Sequence, residues 1–275
     1  MRAFLILIWL ATPAVAAGPK VVTDIAPVHS LVAQVMDGVG IPDLLLQPGD
    51  DPHHMALRPS QASAIAAADL VIWVGPALAP WLGEVLASQG ARTLPLAPDL
   101  VEDEDDPHLW LDPALALHWL PEIAEALSVA DPQNAALYQR NAKETGARLA
   151  DLTLRVLGTL KDDRGARLIT AHDAWGHFAD AFGLQIVGAI RTHEDSAPGA
   201  RHLAELGALV REGAVDCIVS EGVESDALVE TLAAGSGVPL TNLHPVGQGI
   251  TPGPAFYEAL LEGVAQGIAA CADGG

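Results

Sequence analysis

Basic residues are scarce in this chain: 14 Lys and Arg stand against 35 Asp and Glu, which gives a formal net charge of −21. So acidic a surface repels phosphate backbones, and the composition therefore excludes a nucleic-acid-binding protein. Beyond its first residues the sequence also lacks an apolar stretch of the roughly 20 residues that a membrane-spanning helix needs. The 275 residues, 50% of them hydrophobic, instead indicate a globular protein with one large domain or two lobes.

The N-terminus has the pattern of an export signal. Arg2 supplies a positive charge, residues 3–11 form an apolar run, and Ala14-Val15-Ala16 is a small-x-small cleavage motif. We therefore predict a signal peptide over residues 1–16 and a soluble, exported mature chain that begins at Ala17. No cysteine stands near the cleavage site, so a lipid anchor has no attachment point there.

Export makes the two cysteines informative. Cys217 lies in an apolar run that is typical of a buried strand, and Cys271 lies near the C-terminus. In an oxidising compartment such a pair most often forms a disulfide, which here ties the last helix to a core strand. The alternative is two unrelated buried thiols.

Strand and helix patterns alternate along the chain. Short apolar runs predict strands, and stretches with helical spacing of apolar residues lie between them. This alternation predicts an α/β protein in which mainly parallel sheets are covered by helices on both faces. The predicted strands are 20–23, 43–47, 70–74 and 93–96 in the first half, and 167–171, 184–189, 217–220 and 239–243 in the second.

One helix is predicted to be much longer than the others. Asp131 followed by Pro132 is a helix-start signal, and apolar or small residues recur every three or four positions from Tyr138 to Leu160. A helix of about 30 residues, about 45 Å long at 1.5 Å per residue, exceeds what an α/β crossover needs. It predicts two lobes joined by a rigid helix. The predicted division is an N-terminal α/β lobe over 17–130, the linking helix over 131–164 and a C-terminal α/β lobe over 165–275.

Four of the ten histidines follow the carboxyl ends of predicted strands. They are His53, His108, His172 and His244. Ligands of open α/β sheets bind at this edge, and two of these histidines belong to each lobe. Convergent imidazoles are a typical ligand set for zinc, so the pattern predicts a metal site in the cleft between the lobes.

The flanking residues resemble a known family. The segments His53-His54-Met55-Ala56-Leu57-Arg58-Pro59-Ser60, His108-Leu109-Trp110-Leu111-Asp112-Pro113 and His172-Asp173-Ala174-Trp175-Gly176-His177-Phe178 resemble signature segments of the metal-binding solute-binding proteins of ABC transporters, in particular their zinc-specific, ZnuA-type branch. With the segment 243–247, the resemblance covers essentially the whole mature chain. It implies a periplasmic protein of two lobes and one long helix that holds a metal between the lobes and delivers it to an inner-membrane permease.

The resemblance also implies the ligands. His53, His108 and His172 match the family's metal ligands, and the cysteine pair resembles the disulfide of zinc members. Manganese members usually have a carboxylate at the third position, so His172 favours zinc; a manganese- or iron-binding member of the family is the alternative. His244 stands where relatives usually have Asp. It is either a fourth imidazole ligand, or it leaves the fourth position to water or to an acid such as Glu221 or Asp51.

Other motifs have simpler interpretations. The acidic segment 101–106 is either a solvated loop or a region that attracts cations or docks a basic metal-donating chaperone. His54, next to His53, is not expected to bind the same ion. His177 is expected to be packed or to support a ligand. The other four, His29, His118, His193 and His202, are assigned to surface or capping roles.

Two other functional classes compete with a monomeric zinc carrier. A zinc hydrolase needs an open coordination position and a general base. The sequence lacks two hydrolase motifs, His-Glu-x-x-His and Gly-x-Ser-x-Gly. Glu221 is the candidate base by its position alone. A structural zinc protein loses its fold with its metal, whereas a carrier keeps a folded metal-free form. We therefore expect no enzyme.

Overall fold

The structure, a computed structural model, describes residues 18–47, 49–100, 105–191, 198–222 and 226–274. The predicted signal peptide and residues 101–104 of the acidic segment lie outside the described residues.

The N-terminal half contains one four-stranded parallel sheet flanked by helices. Its elements are β1 (Val21–Thr23), α1 (Ala26–Val35), β2 (Asp43–Leu44), α2 (Pro59–Ala67), β3 (Leu70–Trp73), α3 (Pro80–Gln89) and β4 (Thr93–Pro95). The strand order is β2-β1-β3-β4, and all three pairs are parallel. All four residues of β3 are buried, as its unbroken apolar sequence predicts for a strand that is covered on both faces. β2 is shorter than predicted because its partner β1 already ends at Thr23.

The C-terminal half repeats this architecture. Its elements are β5 (Arg167–His172), α6 (Gly176–Phe182), β6 (Gln185–Arg191), α7 (Ala200–Arg211), β7 (Cys217–Ser220), α8 (Asp226–Ala233), β8 (Leu240–Asn242) and α9 (Phe256–Ala272). The strand order is β6-β5-β7-β8, again parallel throughout. The α/β class with two parallel sheets is therefore confirmed.

The long helix between the sheets starts later than predicted. Residues Pro132–Asn134 form a 3-10 turn, and the helix proper, α5, spans Ala135–Thr159. The Oδ2 atom of Asp131 accepts from Asn134 Nδ2 at 2.6 Å and from the Tyr138 hydroxyl at 2.9 Å. At 1.5 Å per residue, α5 is about 37 Å long.

An 18-residue helix whose extent was not predicted precedes α5. It is α4 (Pro113–Ala130), and its N-cap Asp112 accepts a hydrogen bond from Ala114 N at 2.7 Å. α5 packs against α4, α1 and α9. The linking helix is therefore not an isolated strut, since its apolar face is buried against both halves of the molecule.

One hydrophobic core runs through both halves. It includes Leu31 of α1, Leu120 of α4, Leu152 of α5 and Leu261 of α9, each at most 1% exposed. Smaller clusters lie on the outer face of each sheet. A shared core of this kind resists wide separation of the lobes, because opening would expose apolar surface to water.

The predicted disulfide is present. Cys217, the first residue of β7, is bonded to Cys271 near the end of α9, with the two Cα atoms 5.6 Å apart. The bond lies at the amino end of β7, whereas Glu221 follows the carboxyl end of the same strand. The disulfide therefore ties α9 to the sheet at the end opposite to the predicted metal site.

Candidate metal site

The four predicted histidines lie at the carboxyl edges of the two sheets. His53 is in the loop between β2 and α2, and His108 immediately precedes a 3-10 turn at Leu109–Leu111. His172 is the last residue of β5, and His244 follows β8. All four line one cavity of about 310 Å³ between the lobes. The expected cleft at the sheet edges is therefore present.

Three of these histidines converge. His53, His108 and His172 each offer one ring nitrogen, and the three nitrogens lie within 4.8 Å of one another. The ring centroids of His53 and His172 are 5.4 Å and 5.3 Å from that of His108. A tetrahedral zinc ion with bonds of 2.0 to 2.1 Å spaces its ligand nitrogens by about 3.3 Å, so modest side-chain rotations suffice to close the group around one ion.

A carboxylate fixes the ring of His108. Asp106 Oδ1 lies 2.7 Å from His108 Nδ1 and accepts the His108 backbone N–H at 2.9 Å. Burial raises the pKa of Asp106, but hydrogen bonds from His108 and the nearby His177 together outweigh burial and hold this pKa below its usual value. Since Nδ1–H donates to the carboxylate, the lone pair of His108 is on Nε2, the nitrogen available to a metal.

A second carboxylate fixes His172 in the same way. Glu221 follows β7, and its carboxylate lies 2.7 Å from His172 Nδ1. Its Oε1 atom also accepts from Trp175 Nε1 at 3.3 Å. Glu221 is 6% exposed. In this position Glu221 supports a histidine, and its two oxygens accept hydrogen bonds from His172 and Trp175.

The loop that contains His53 is shaped by Asp51. Asp51 Oδ1 accepts the His53 backbone N–H at 2.9 Å, and Asp51 Oδ2 lies 3.7 Å from His54 Nδ1. The His54 side chain is 51% exposed and lies outside the convergent group.

His244 lies on the cavity wall but outside the three-histidine group. Its Nδ1 atom lies 3.4 Å from Val246 N. The next residue, Pro245, accepts a hydrogen bond from Trp110 Nε1 at 2.8 Å. His244 therefore shares the cavity with the convergent histidines, and its loop is bonded to the opposite lobe.

Trp110 packs behind His108. Its indole is fully buried, and its ring centroid lies 5.1 Å from that of His108. Its carbonyl accepts from the Tyr257 hydroxyl at 2.6 Å. Trp110 thus connects a candidate ligand of one lobe to two segments of the other.

Some contributors to the site were missed by sequence reasoning, and one assignment was wrong. Asp106 had been grouped with the acidic segment, although its position two residues before His108 suits a hydrogen bond to that residue. Arg191, the last residue of β6, also lines the cavity. His29 is not a surface residue: it is 5% exposed, its Nε2 atom donates to Pro42 O at 3.0 Å, and burial lowers its pKa.

The other histidines lie away from the convergent group. His177 bonds to Asp106 O at 3.0 Å, His202 bonds to Ala189 O at 2.7 Å, and His118 is exposed. His193 lies outside the described residues. Within the ranges that the structure describes, no helix combines the length and the apolar character needed to cross a membrane.

Two parallel-sheet lobes, a long helix between them and three histidines that converge in the cleft define a metal-binding protein of the solute-binding class. Residues 21–271 match the family model described as ZnuA, zinc-uptake complex component A, periplasmic. The chain belongs to this family.

Named relatives agree with this assignment. The chain is 36% identical over 307 aligned positions to the high-affinity zinc uptake system protein ZnuA of Paracoccus denitrificans, with 95% of this chain and 94% of the relative covered. It is 28% identical to the protein of the same name from Brucella abortus, with 91% of each chain covered.

Two crystal structures share the fold. The nickel complex of the solute-binding protein FpvC from Pseudomonas aeruginosa has a TM-score of 0.82 at 22% identity and covers 93% of this chain and 97% of its own. Zinc-bound AdcA from Streptococcus pneumoniae has a TM-score of 0.76 at 24% identity; the match covers 93% of this chain and 58% of AdcA.

Proposed function

We propose that this protein captures zinc in the periplasm with high affinity and delivers it to the permease of an ABC transporter. The observation that carries the proposal is the convergence of three imidazole nitrogens within 4.8 Å in the cleft. Membership of the zinc-uptake family and the names of the relatives support the same function.

His53, His108 and His172 are proposed as ligands, the last two through Nε2 because their Nδ1 atoms face Asp106 and Glu221. His244 is proposed as the fourth ligand, since it lines the same cavity. Three or four neutral nitrogen donors suit zinc, whereas manganese prefers oxygen ligands. The ligand set therefore favours zinc over manganese.

The support for a carrier over a hydrolase comes from Glu221. A zinc hydrolase needs a base that can take a proton from metal-bound water. Glu221 was the candidate, and its oxygens bond to His172 and Trp175. We therefore propose that the chain is not an enzyme.

Release is proposed to follow a local rearrangement or the action of the permease, without wide opening of the lobes. Besides the shared core, hydrogen bonds join α1 to the start of α9: Ser30 Oγ donates to Pro254 O at 2.8 Å and accepts from Tyr257 N at 3.1 Å. Crystal forms of metal-free and metal-bound protein with widely rotated lobes would contradict this mechanism.

The cellular setting follows from the same proposal. A signal peptide over 1–16 is removed on export, the mature chain works as a monomer, and its lobes are 17–130 and 165–275 with the link 131–164. A metal-donating chaperone that approaches the acidic segment is a further proposed partner. N-terminal sequencing, light scattering and chain truncation test these points.

The decisive experiment measures zinc content and zinc affinity of the purified mature protein. We expect one zinc ion per chain, a folded metal-free form after chelation, and an affinity at least about 100-fold lower in His108→Ala or His172→Ala, more than outer-shell changes usually cost. His244→Ala tests the fourth position. Exposed His118→Ala is the matched control. A chain that retains no zinc, or that unfolds when zinc is removed, contradicts the proposal.

A further inference from the structure

A hydrogen bond between the lobes lies directly behind a candidate zinc ligand. His177, in the first turn of α6 in the C-terminal half, donates from Nε2 to the backbone carbonyl of Asp106 at 3.0 Å. The same nitrogen lies 3.7 Å from Asp106 Oδ2. Asp106 belongs to the segment between β4 and α4, in the N-terminal half.

Asp106 therefore has contacts on two sides. On one side it receives both the ring N–H and the backbone N–H of His108. On the other side its carbonyl is bonded to His177 of the opposite lobe. A chain of hydrogen bonds thus runs from α6 through Asp106 to the ring of His108.

The start of α6 also fits closely around Asp106. A Cβ atom added to Gly176 would lie 3.1 Å from Asp106 Oδ2, which is closer than ordinary van der Waals contact. Glycine at this position lets the carboxylate approach the helix, and the neighbouring His177 supplies the donor. Two successive residues of one lobe therefore lie against Asp106, whose backbone carbonyl bonds to His177 and whose carboxylate orients a histidine of the other lobe.

We propose that His177 is a positioning residue that links the relative placement of the lobes to the orientation of His108. This inference rests on the proposed zinc-binding function. While the lobes are together, His177 anchors Asp106, and Asp106 holds His108 with Nε2 directed at the ion. A small displacement of α6 from the loop breaks the bond, Asp106 loses its anchor, and His108 becomes free to turn. Zinc is then released without wide opening.

The test compares four variants in the full mature chain with zinc as the probe. His177→Ala removes the donor, and His177→Gln retains a side-chain N–H that can reach the carbonyl. His202→Ala is the matched control, because His202 also bonds through Nε2 to a carbonyl of the same lobe, Ala189 O at 2.7 Å. Asp106→Ala removes the carboxylate through which His177 is proposed to act.

We expect His177→Ala to raise the zinc dissociation constant and the zinc dissociation rate about 10-fold, the lower end of the effects seen for outer-shell partners. His177→Gln restores most of the affinity, and His202→Ala leaves it unchanged. In the Asp106→Ala background, His177→Ala adds little further loss. The visible absorption of the Co²⁺-substituted protein, which reports ligand geometry, shifts in His177→Ala and not in His202→Ala.

The outcomes separate this inference from the function on which it rests. If the wild-type chain fails to bind zinc, or if His108→Ala binds as tightly as the wild type, the proposed function fails. If the wild type binds zinc and His177→Ala matches His202→Ala in affinity, rate and Co²⁺ spectrum, the positioning role is overturned. If His177→Ala does not fold, the His177→Gln variant decides. Lowered zinc affinity and an altered Co²⁺ spectrum in that variant overturn the positioning role, and wild-type affinity and spectrum support it.

Discussion

The Nδ1 atom of His172 lies 2.7 Å from the carboxylate of Glu221, and both side chains are buried. His172 ends β5 and Glu221 follows β7, two adjacent strands of one sheet. The pairing leaves Nε2 of His172 directed into the cleft, and it places a negative charge one ring away from the proposed cation.

Replacement of this carboxylate is expected to weaken zinc binding. Glu221→Gln keeps the size of the side chain but loses the negative charge that makes the His172 imidazole a stronger zinc ligand. The zinc dissociation constant should therefore rise by about 10- to 100-fold. Competition with a chromophoric chelator measures it. Glu122→Gln, on the exposed surface of α4, is the control and should bind as the wild type does. An unchanged affinity in Glu221→Gln contradicts the supporting role.

Loss of the disulfide should lower stability and leave zinc binding intact. The bond closes a sequence separation of 54 residues, for which chain entropy predicts a contribution of about 4 kcal/mol to the free energy of unfolding. Urea denaturation of metal-free Cys217→Ala/Cys271→Ala protein measures this loss. Because the bond lies at the amino end of β7, the zinc affinity of the folded variant should match the wild type; a large drop in affinity contradicts this separation.

Asp24 should make the fold less stable as the pH rises. Burial raises its pKa to about 6, against 3.8 for the ordinary group, although the N–H groups of Val74 and Ile25 lower it in part. Because the pKa of Asp24 is higher in the folded than in the unfolded chain, the stabilisation that protonated Asp24 contributes is fully present below about pH 3.8 and is lost as the pH rises through about 6. The loss amounts to about 3 kcal/mol.

The test of Asp24 is the pH dependence of unfolding, not a single stability value. Asp24→Asn offers one oxygen to two backbone N–H groups, so it is less stable at low pH, but its stability should not show the loss between pH 4 and 6. Urea denaturation of both metal-free proteins across this range measures the difference. Parallel pH profiles for the two proteins would show that Asp24 does not titrate there.

Trp110→Phe should reduce stability by removing a bond between the lobes. The indole N–H donates to Pro245 O at 2.8 Å in a buried position, and an unsatisfied buried acceptor costs about 1 to 3 kcal/mol. Trp73→Phe is the matched control. The buried Nε1 atom of Trp73 has no hydrogen-bond partner among the described residues, so this substitution removes a similar side-chain volume without removing a hydrogen bond. The difference between the two variants in urea denaturation gives the hydrogen-bond contribution, and equal losses contradict it.

Local sequence patterns predicted the existence of most helices and strands better than their first and last residues. The strand at Cys217–Ser220 was placed without error because an apolar run between polar residues is a local signal. The extent of α4 was not predicted, and Pro121 lies inside this helix; a proline normally ends or kinks a helix because it lacks an N–H. The start of α5 was misplaced because Pro132–Asn134 form a 3-10 turn, and a proline after Asp131 does not distinguish such a turn from the first turn of an α-helix.

The sequence by itself determined the alternation of strands and helices, the placement of four histidines at strand ends and the pairing of the two cysteines, because these depend on side-chain periodicity, residue type and compartment. Only the tertiary structure decided that His53, His108 and His172 converge while His244 stands on the cavity wall, that Glu221 and Asp106 each hold a histidine ring, and that the lobes share one core. Except for the Asp106–His108 pair, these relationships join residues far apart in the sequence, and they depend on how helices and sheets pack, which a local sequence pattern does not predict.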